Sequence, residues 1–116
     1  MTIIGKIKNI FSRSMNNKLT YSEVKNIMKN NYSTILIDVR SRQEFGEGHI
    51  ANAINLPVYD LEKKINNYVP DKSNIIILYC QTEIRSNKAK RILEKVGYRD
   101  IYILKGGMDS IVTIHG

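Results

Sequence analysis

The chain has 116 residues, 42% of them hydrophobic and 25% charged, which suits one ordinary globular domain and is too short for two. No stretch approaches the roughly 20 apolar residues that a membrane span needs. The formal charge is +7, yet residues 1–30 hold Lys6, Lys8, Arg13, Lys18, Lys25 and Lys29 against Glu23 alone, so the excess lies on an N-terminal arm rather than on the basic face of a nucleic-acid domain, and no nucleic-acid partner is expected.

Residues 1–17 read as an appendage to a domain over residues 18–116. Ile3, Ile4, Ile7, Ile10, Phe11 and Met15 recur at helical spacing among basic and amide side chains, the pattern of a short amphipathic helix. Three readings stay open for it: packing on the domain or on a second copy, peripheral contact with an anionic membrane surface, or a frayed leader.

From Thr20 onward the pattern becomes regular. Thr20-Tyr21-Ser22-Glu23 is a capping box that opens a helix through about Lys29, with Val24, Ile27 and Met28 inward. Ile35–Val39 reads as a buried strand. Ser41-Arg42-Gln43-Glu44 is a second capping box, leading to a short helical turn stopped near Gly46 and Gly48. Ala53–Leu56 is a short strand ended by Pro57, and Asp60 to about Tyr68 forms a helix with Leu61, Ile65 and Tyr68 inward. Pro70–Ser73 is a turn.

Ile75–Tyr79 is apolar throughout, as in strands covered on both faces. Ser86–Val96 is a helix with Ala89, Ile92, Leu93 and Val96 at core spacing, closed by Gly97. Ile101–Leu104 is a further strand, broken by Gly106-Gly107 before a last helical turn. Strands alternating with helices predict an α/β domain with a mostly parallel sheet. Ligands in such sheets bind beyond the C-terminal strand ends. Asp38-Val39-Arg40, Cys80 and Lys105-Gly106-Gly107 all fall at such ends.

Cys80 is the single cysteine, so no internal disulfide can form and a reducing, cytoplasmic setting is expected; the N-terminus also lacks the apolar run and cleavage site of a secretory signal. A free cysteine is often only a buried apolar residue. Here, however, a loop from Cys80 to Arg85 leads into a helix, and unpaired N–H groups at a helix start favour an anion such as a thiolate. Gln81, Thr82, Glu83 and Ile84 supply backbone N–H groups that can curl into an anion-binding nest, Arg85 adds a cation, and Ser86 suits the helix N-cap.

Four ordered segments then carry a family resemblance: Asp38-Val39-Arg40 with Glu44-Phe45; Gly48-His49-Ile50 followed by Ala53-Ile54-Asn55-Leu56-Pro57; Tyr79-Cys80 with Arg85-Ser86; and Leu104-Lys105-Gly106-Gly107-Met108. Over about residues 19–112 the chain resembles a single-domain rhodanese, a sulfurtransferase-type module. The resemblance implies a single rhodanese-like α/β domain, with a mostly parallel central sheet of about five strands and helices on both faces. It further implies that Cys80 takes sulfane sulfur from a donor, becomes a persulfide, and passes it to a thiol, cyanide or protein acceptor, with no cofactor or metal. Gln81 to Arg85 match the loop around the persulfide, Ser86 matches the helix start, and Asp38 and Arg40 match a pair supporting the active-site frame. Arg40 is read as partly structural, with Glu44 as an alternative ion-pair partner. His49 matches a structural position rather than a general base.

Cysteine-dependent phosphatases share the strand–loop–helix arrangement but place five residues between cysteine and arginine, which sets a phosphatase or arsenate reductase apart from this chain. The four here suit a smaller sulfane sulfur. Glu83 stands where the family commonly has glycine, Gln81 where it often has a basic residue, and no tryptophan follows the Gly-Gly pair. A Glu83 carboxylate facing the loop mouth would repel thiosulfate by about 1–4 kcal/mol; turned outward, it would matter less. The rival reading is a rhodanese-fold binding module with weak or no catalysis.

Overall fold

The computed structural model describes residues 17–31 and 33–115. The amphipathic helix expected over residues 1–17 lies, apart from Asn17, outside them. Among the described residues five strands and five helices follow one another: β1 (Lys18–Leu19), α1 (Tyr21–Asn30), β2 (Ile35–Asp38), α2 (Arg42–Glu47), β3 (Ile54–Asn55), α3 (Val58–Tyr68), β4 (Ile76–Tyr79), α4 (Ile84–Val96), β5 (Ile101–Leu104) and α5 (Gly107–His115). All four strand pairings are parallel, in the order β1-β5-β4-β2-β3.

Alternation along the strands sends side chains to two separate cores. Ile37, Ile76, Leu78 and Cys80 face α3 and α4, meeting Leu61, Ile65, Ala89 and Leu93. Leu36, Ile77, Tyr79 and Leu104 face the other way, toward Val24 and Ile27 of α1 and Met108 and Ile111 of α5. Because β4 is covered on both sides, all four of its residues are buried, which explains its continuous apolar run. The expected α/β domain with helices on both faces of a parallel sheet is the observed one.

Both predicted capping boxes form. The Thr20 side chain accepts from the Glu23 N–H and the Ser41 side chain from the Glu44 N–H, and each glutamate reaches back to its cap residue. Gly97 closes α4 with φ 107°, a left-handed conformation in which a Cβ would be strained.

Several expectations change. Helix α3 begins at Val58, directly after Pro57, and Tyr68 turns outward at 47% exposure. Met28 is only half-buried. Gly46 lies inside α2, and Gly48 is its C-cap. The last helical turn is a nine-residue helix, and the edge strand β1 carries no local signal because it exists only by pairing with β5. Among the described residues no helix is long and apolar enough to cross a membrane.

Candidate active site

Parallel strands deliver Asp38 and Tyr79 side by side at the ends of β2 and β4, so the residues after them, through Arg40 and Cys80, emerge at one edge of the sheet. Cys80 is buried, at 1% exposure. Its thiol donates to the Ser86 hydroxyl over 3.7 Å, which puts the sulfur against the first turn of α4.

Helix α4 starts two residues earlier than expected. Glu83 occupies the N-cap position without any side-chain cap bond, and Ile84 and Arg85 are already helical. Ser86 is therefore not the N-cap. It lies fully buried in the first turn, and its hydroxyl donates to the Glu83 carbonyl at 3.1 Å. Local back-bonding of this kind is the usual alternative role for serine near a helix start. The first N–H groups of α4 are thus left without a side-chain acceptor, as an anion site requires.

Helix α5 sets the orientation of the loop. The Met108 N–H donates to the Cys80 carbonyl at 2.9 Å and the Asp109 N–H to the Gln81 carbonyl at 3.0 Å. Gly107 lies so close to the carbonyls of Cys80, Gln81 and Thr82 that a Cβ there would collide with all three. With these carbonyls facing Gly107, and with no cis peptide among the described residues, the planar trans peptides turn the N–H groups of Gln81, Thr82 and Glu83 the opposite way. None of those three donors has a backbone acceptor among the described residues. The result is a loop with the Gln81, Thr82 and Glu83 donors on one side and the Cys80, Gln81 and Thr82 carbonyls on the other.

Charged side chains brace this loop. Asp38, fully buried, accepts from the Arg40 N–H at 2.9 Å, from Nε at 3.1 Å and from Nη2 at 2.8 Å. Burial works against the Arg40 charge, but the Asp38 carboxylate outweighs it and raises the Arg40 pKa. Arg40 also donates to the Gly48 carbonyl at 2.6 Å and to Gln81 Oε1 at 3.2 Å. Gln81 in turn donates to Asp109 at 2.7 Å, so one chain of bonds runs from β2 through the loop to α5. The Tyr79 hydroxyl accepts from the Ile50 N–H at 3.0 Å, and burial pushes its pKa up.

Arg40 does not pair with Glu44. Arg85 takes that place, with Nη1 2.5 Å from Oε1 and Nη2 3.0 Å from Oε2. These bonds hold the Glu44 carboxyl down at about 2 and raise the Arg85 pKa, to which a charge on Cys80 also contributes. Among the expected loop residues Thr82 and Ile84 point into solvent, Ile84 at 80% exposure. His49 bonds the Phe45 carbonyl through Nδ1 at 2.8 Å and stacks on the Phe45 ring, the contacts of a structural histidine.

Glu83 does not carry an open charge into the mouth. One oxygen meets Lys18 Nζ at 2.6 Å and the other accepts from the Gly106 N–H at 2.8 Å. Burial opposes the charged form, but Lys18, Gly106 and the nearby Lys105 prevail and lower the Glu83 pKa. Lys18 and Asp109 carry no signal of a site role in the sequence, whereas Glu44 stands there as a possible partner of Arg40 and Gly107 as half of a glycine pair at a strand end.

Among the described residues no group of three or more His, Cys, Asp or Glu side chains gathers as a metal site would. A hollow of about 290 Å³ beside α1 is lined by Tyr21, Val24, Met28 and Ile50 and contains no residue of the Cys80 loop.

Comparison with known proteins gives the family. The family described as Rhodanese-like domain matches residues 20–113. The Bacillus subtilis protein YqhL is 46% identical over 72 residues, 62% of this chain and 56% of that protein. The Escherichia coli thiosulfate sulfurtransferase PspE is 35% identical over 65 residues, 56% of this chain and 62% of its own. Thus the chain spans less than two thirds of these relatives. A solved E. coli rhodanese with anions superposes with a TM-score of 0.62 at 32% identity, covering 66% of this chain and 89% of that one. The human single-domain sulfurtransferase TSTD1 shares the fold, with a TM-score of 0.73 at 22% identity over 84% and 96% of the two chains. This chain belongs to the rhodanese-like domain family.

Proposed function

We propose that Cys80 is a sulfur carrier that alternates between thiolate and persulfide. The observation that carries this reading is the position of its sulfur against the uncapped first turn of α4, beside a loop whose Cys80, Gln81 and Thr82 carbonyls face Gly107. That arrangement leaves backbone N–H groups for negative charge on sulfur. The Ser86 hydroxyl, which accepts from the thiol, can rotate to donate to a thiolate.

The step balances without a redox partner. The Cys80 thiolate attacks the outer sulfur of thiosulfate, the S–S bond breaks, and sulfite leaves with the bonding pair. The terminal persulfide sulfur, now carrying the negative charge, lies where the loop N–H groups act. An acceptor thiolate or cyanide then attacks that sulfur and regenerates the Cys80 thiolate. A low-molecular-weight persulfide or a partner protein can serve as donor by the same displacement. Similarity to a thiosulfate sulfurtransferase supports the reaction class. The four residues between Cys80 and Arg85 favour sulfane sulfur over the larger oxyanion of phosphatases and arsenate reductases. A carrier whose thiol must stay reduced suits a reducing, cytoplasmic setting.

Intact-mass measurement after exposure to thiosulfate, glutathione persulfide or a cysteine desulfurase tests the reading. One added sulfur on Cys80, removed by cyanide and absent in Cys80→Ser, is the expected result. If no donor adds sulfur, the carrier role is wrong and a binding module remains.

A further inference from the structure

We propose that Lys18 sets the donor specificity of the Cys80 site by cancelling the Glu83 charge, keeping the loop open to anionic donors. The inference rests on the sulfur-carrier reading and adds the class of donor it accepts.

Glu83 is the last residue before α4, three positions after Cys80. An unpaired carboxylate there would oppose any anion approaching the loop N–H groups, because Coulomb repulsion between like charges acts strongly at such range where water is partly excluded. Two features remove it. The Gly106 N–H and Lys18 Nζ occupy one carboxylate oxygen each, at 2.8 and 2.6 Å, and Gly106 adjoins Gly107, on the side to which the loop carbonyls point. The carboxylate is therefore drawn to the face opposite the N–H donors and neutralised there.

Lys18 reaches this position from the edge strand β1, where it is in register with Ile103 of β5. Its side chain is 35% exposed against 24% for Glu83, so the pair is half-sheltered rather than fully solvated. Lys105 adds positive potential nearby. Lys18 meets the Cys80 loop at the Glu83 carboxylate. It acts through Glu83, as a positioning and charge-balancing residue.

The full chain tests this through alkylation of Cys80 by iodoacetate, an anion, and iodoacetamide, its neutral counterpart. In both reactions the thiolate displaces iodide. The ratio of the two rate constants reads charge selectivity and does not depend on sulfur transfer. Lys18→Met is expected to lower the iodoacetate/iodoacetamide ratio on the order of threefold at low salt, with the difference shrinking as salt rises. Lys18→Arg keeps the ratio, and Lys18→Met/Glu83→Gln restores it. Glu83→Gln alone raises the ratio, which keeps the test decisive if Lys18→Met fails to fold. Sulfur transfer gives the parallel readout: KM for thiosulfate rises in Lys18→Met while kcat holds.

An unchanged ratio in folded Lys18→Met overturns the proposal, as does a drop that Glu83→Gln leaves unrepaired. Wild-type protein that accepts iodoacetamide but excludes iodoacetate overturns it too, since the loop then rejects anions with Lys18 in place. If wild type transfers no sulfur from any donor, the sulfur-carrier reading fails while the alkylation ratio still decides the role of Lys18.

Discussion

Arg85 and Glu44 form a two-pronged ion pair, 2.5 and 3.0 Å along its two arms, that ties the first turn of α4 to the short helix α2. The same Glu44 caps α2 by accepting from the Ser41 N–H at 3.1 Å. One carboxylate thus anchors a helix start and the arginine that follows the Cys80 loop at once, and the guanidinium fork is suited to that geometry.

The pair makes stability fall in acid. Glu44 has an ordinary carboxyl pKa when unfolded and about 2 when folded, so the native state favours the charged form. The contribution is fully present above the unfolded value near 4.5 and is lost as pH falls toward about 2. Both side chains are roughly a third exposed, so solvent screening reduces it to about 1 kcal/mol. Urea melts of Glu44→Gln are expected to show that loss at pH 7 and a flatter decline between pH 4.5 and 2; an acid slope equal to wild type would contradict the pairing.

The Asp38–Arg40 pair is a different case, because it is buried at both ends. Arg40→Met leaves the Asp38 carboxylate without its main partner in a dry setting, which costs about 3–5 kcal/mol. It also releases Gly48 and Gln81. Thermal unfolding should show a much larger drop than for Glu44→Gln.

Gly107→Ala addresses the packing of α5 on the loop. A Cβ there meets three carbonyl oxygens and no flexible side chain, so backbone must move. Destabilisation of about 1–3 kcal/mol is expected for such overpacking. Faster amide exchange at Met108 and Asp109, whose N–H groups bond the loop, is the accompanying signature.

Ser86→Ala removes a hydroxyl that is fully buried between the Cys80 thiol and the Glu83 carbonyl. About 1 kcal/mol of stability should be lost with the bond to that carbonyl. Alkylation of Cys80 should slow several-fold, since a thiolate loses a hydroxyl donor. An unchanged alkylation rate would remove Ser86 from the site chemistry.

Elements written in local chemistry were legible in the sequence. The capping boxes at Thr20 and Ser41, the apolar run of β4 and the glycine closing α4 all depend on residues within a few positions of one another. The partners of charged residues were not. Glu44 meets Arg85 rather than Arg40, and Glu83 meets Lys18, because side-chain pairing follows the arrangement of elements in space. Two-residue β1 was invisible for the same reason. Ser86 was read as an N-cap by residue type, whereas its hydroxyl is used by a carbonyl three residues back.

The pairing of β1 with β5 also imposes an order on folding. Leu19 aligns with Leu104, and the Lys105 N–H donates to the Leu19 carbonyl, so β1, the earliest of the described strands, must wait for β5, the latest of them. Contacts between segments so distant in sequence close slowly. On the ribosome β2, β3 and β4 can associate while β5 is still in the exit tunnel. During that interval Glu83 has neither Lys18 nor Gly106 beside it, and the Cys80 loop lacks α5. The Cys80 loop therefore gains its last contacts only when β5 and α5 are in place.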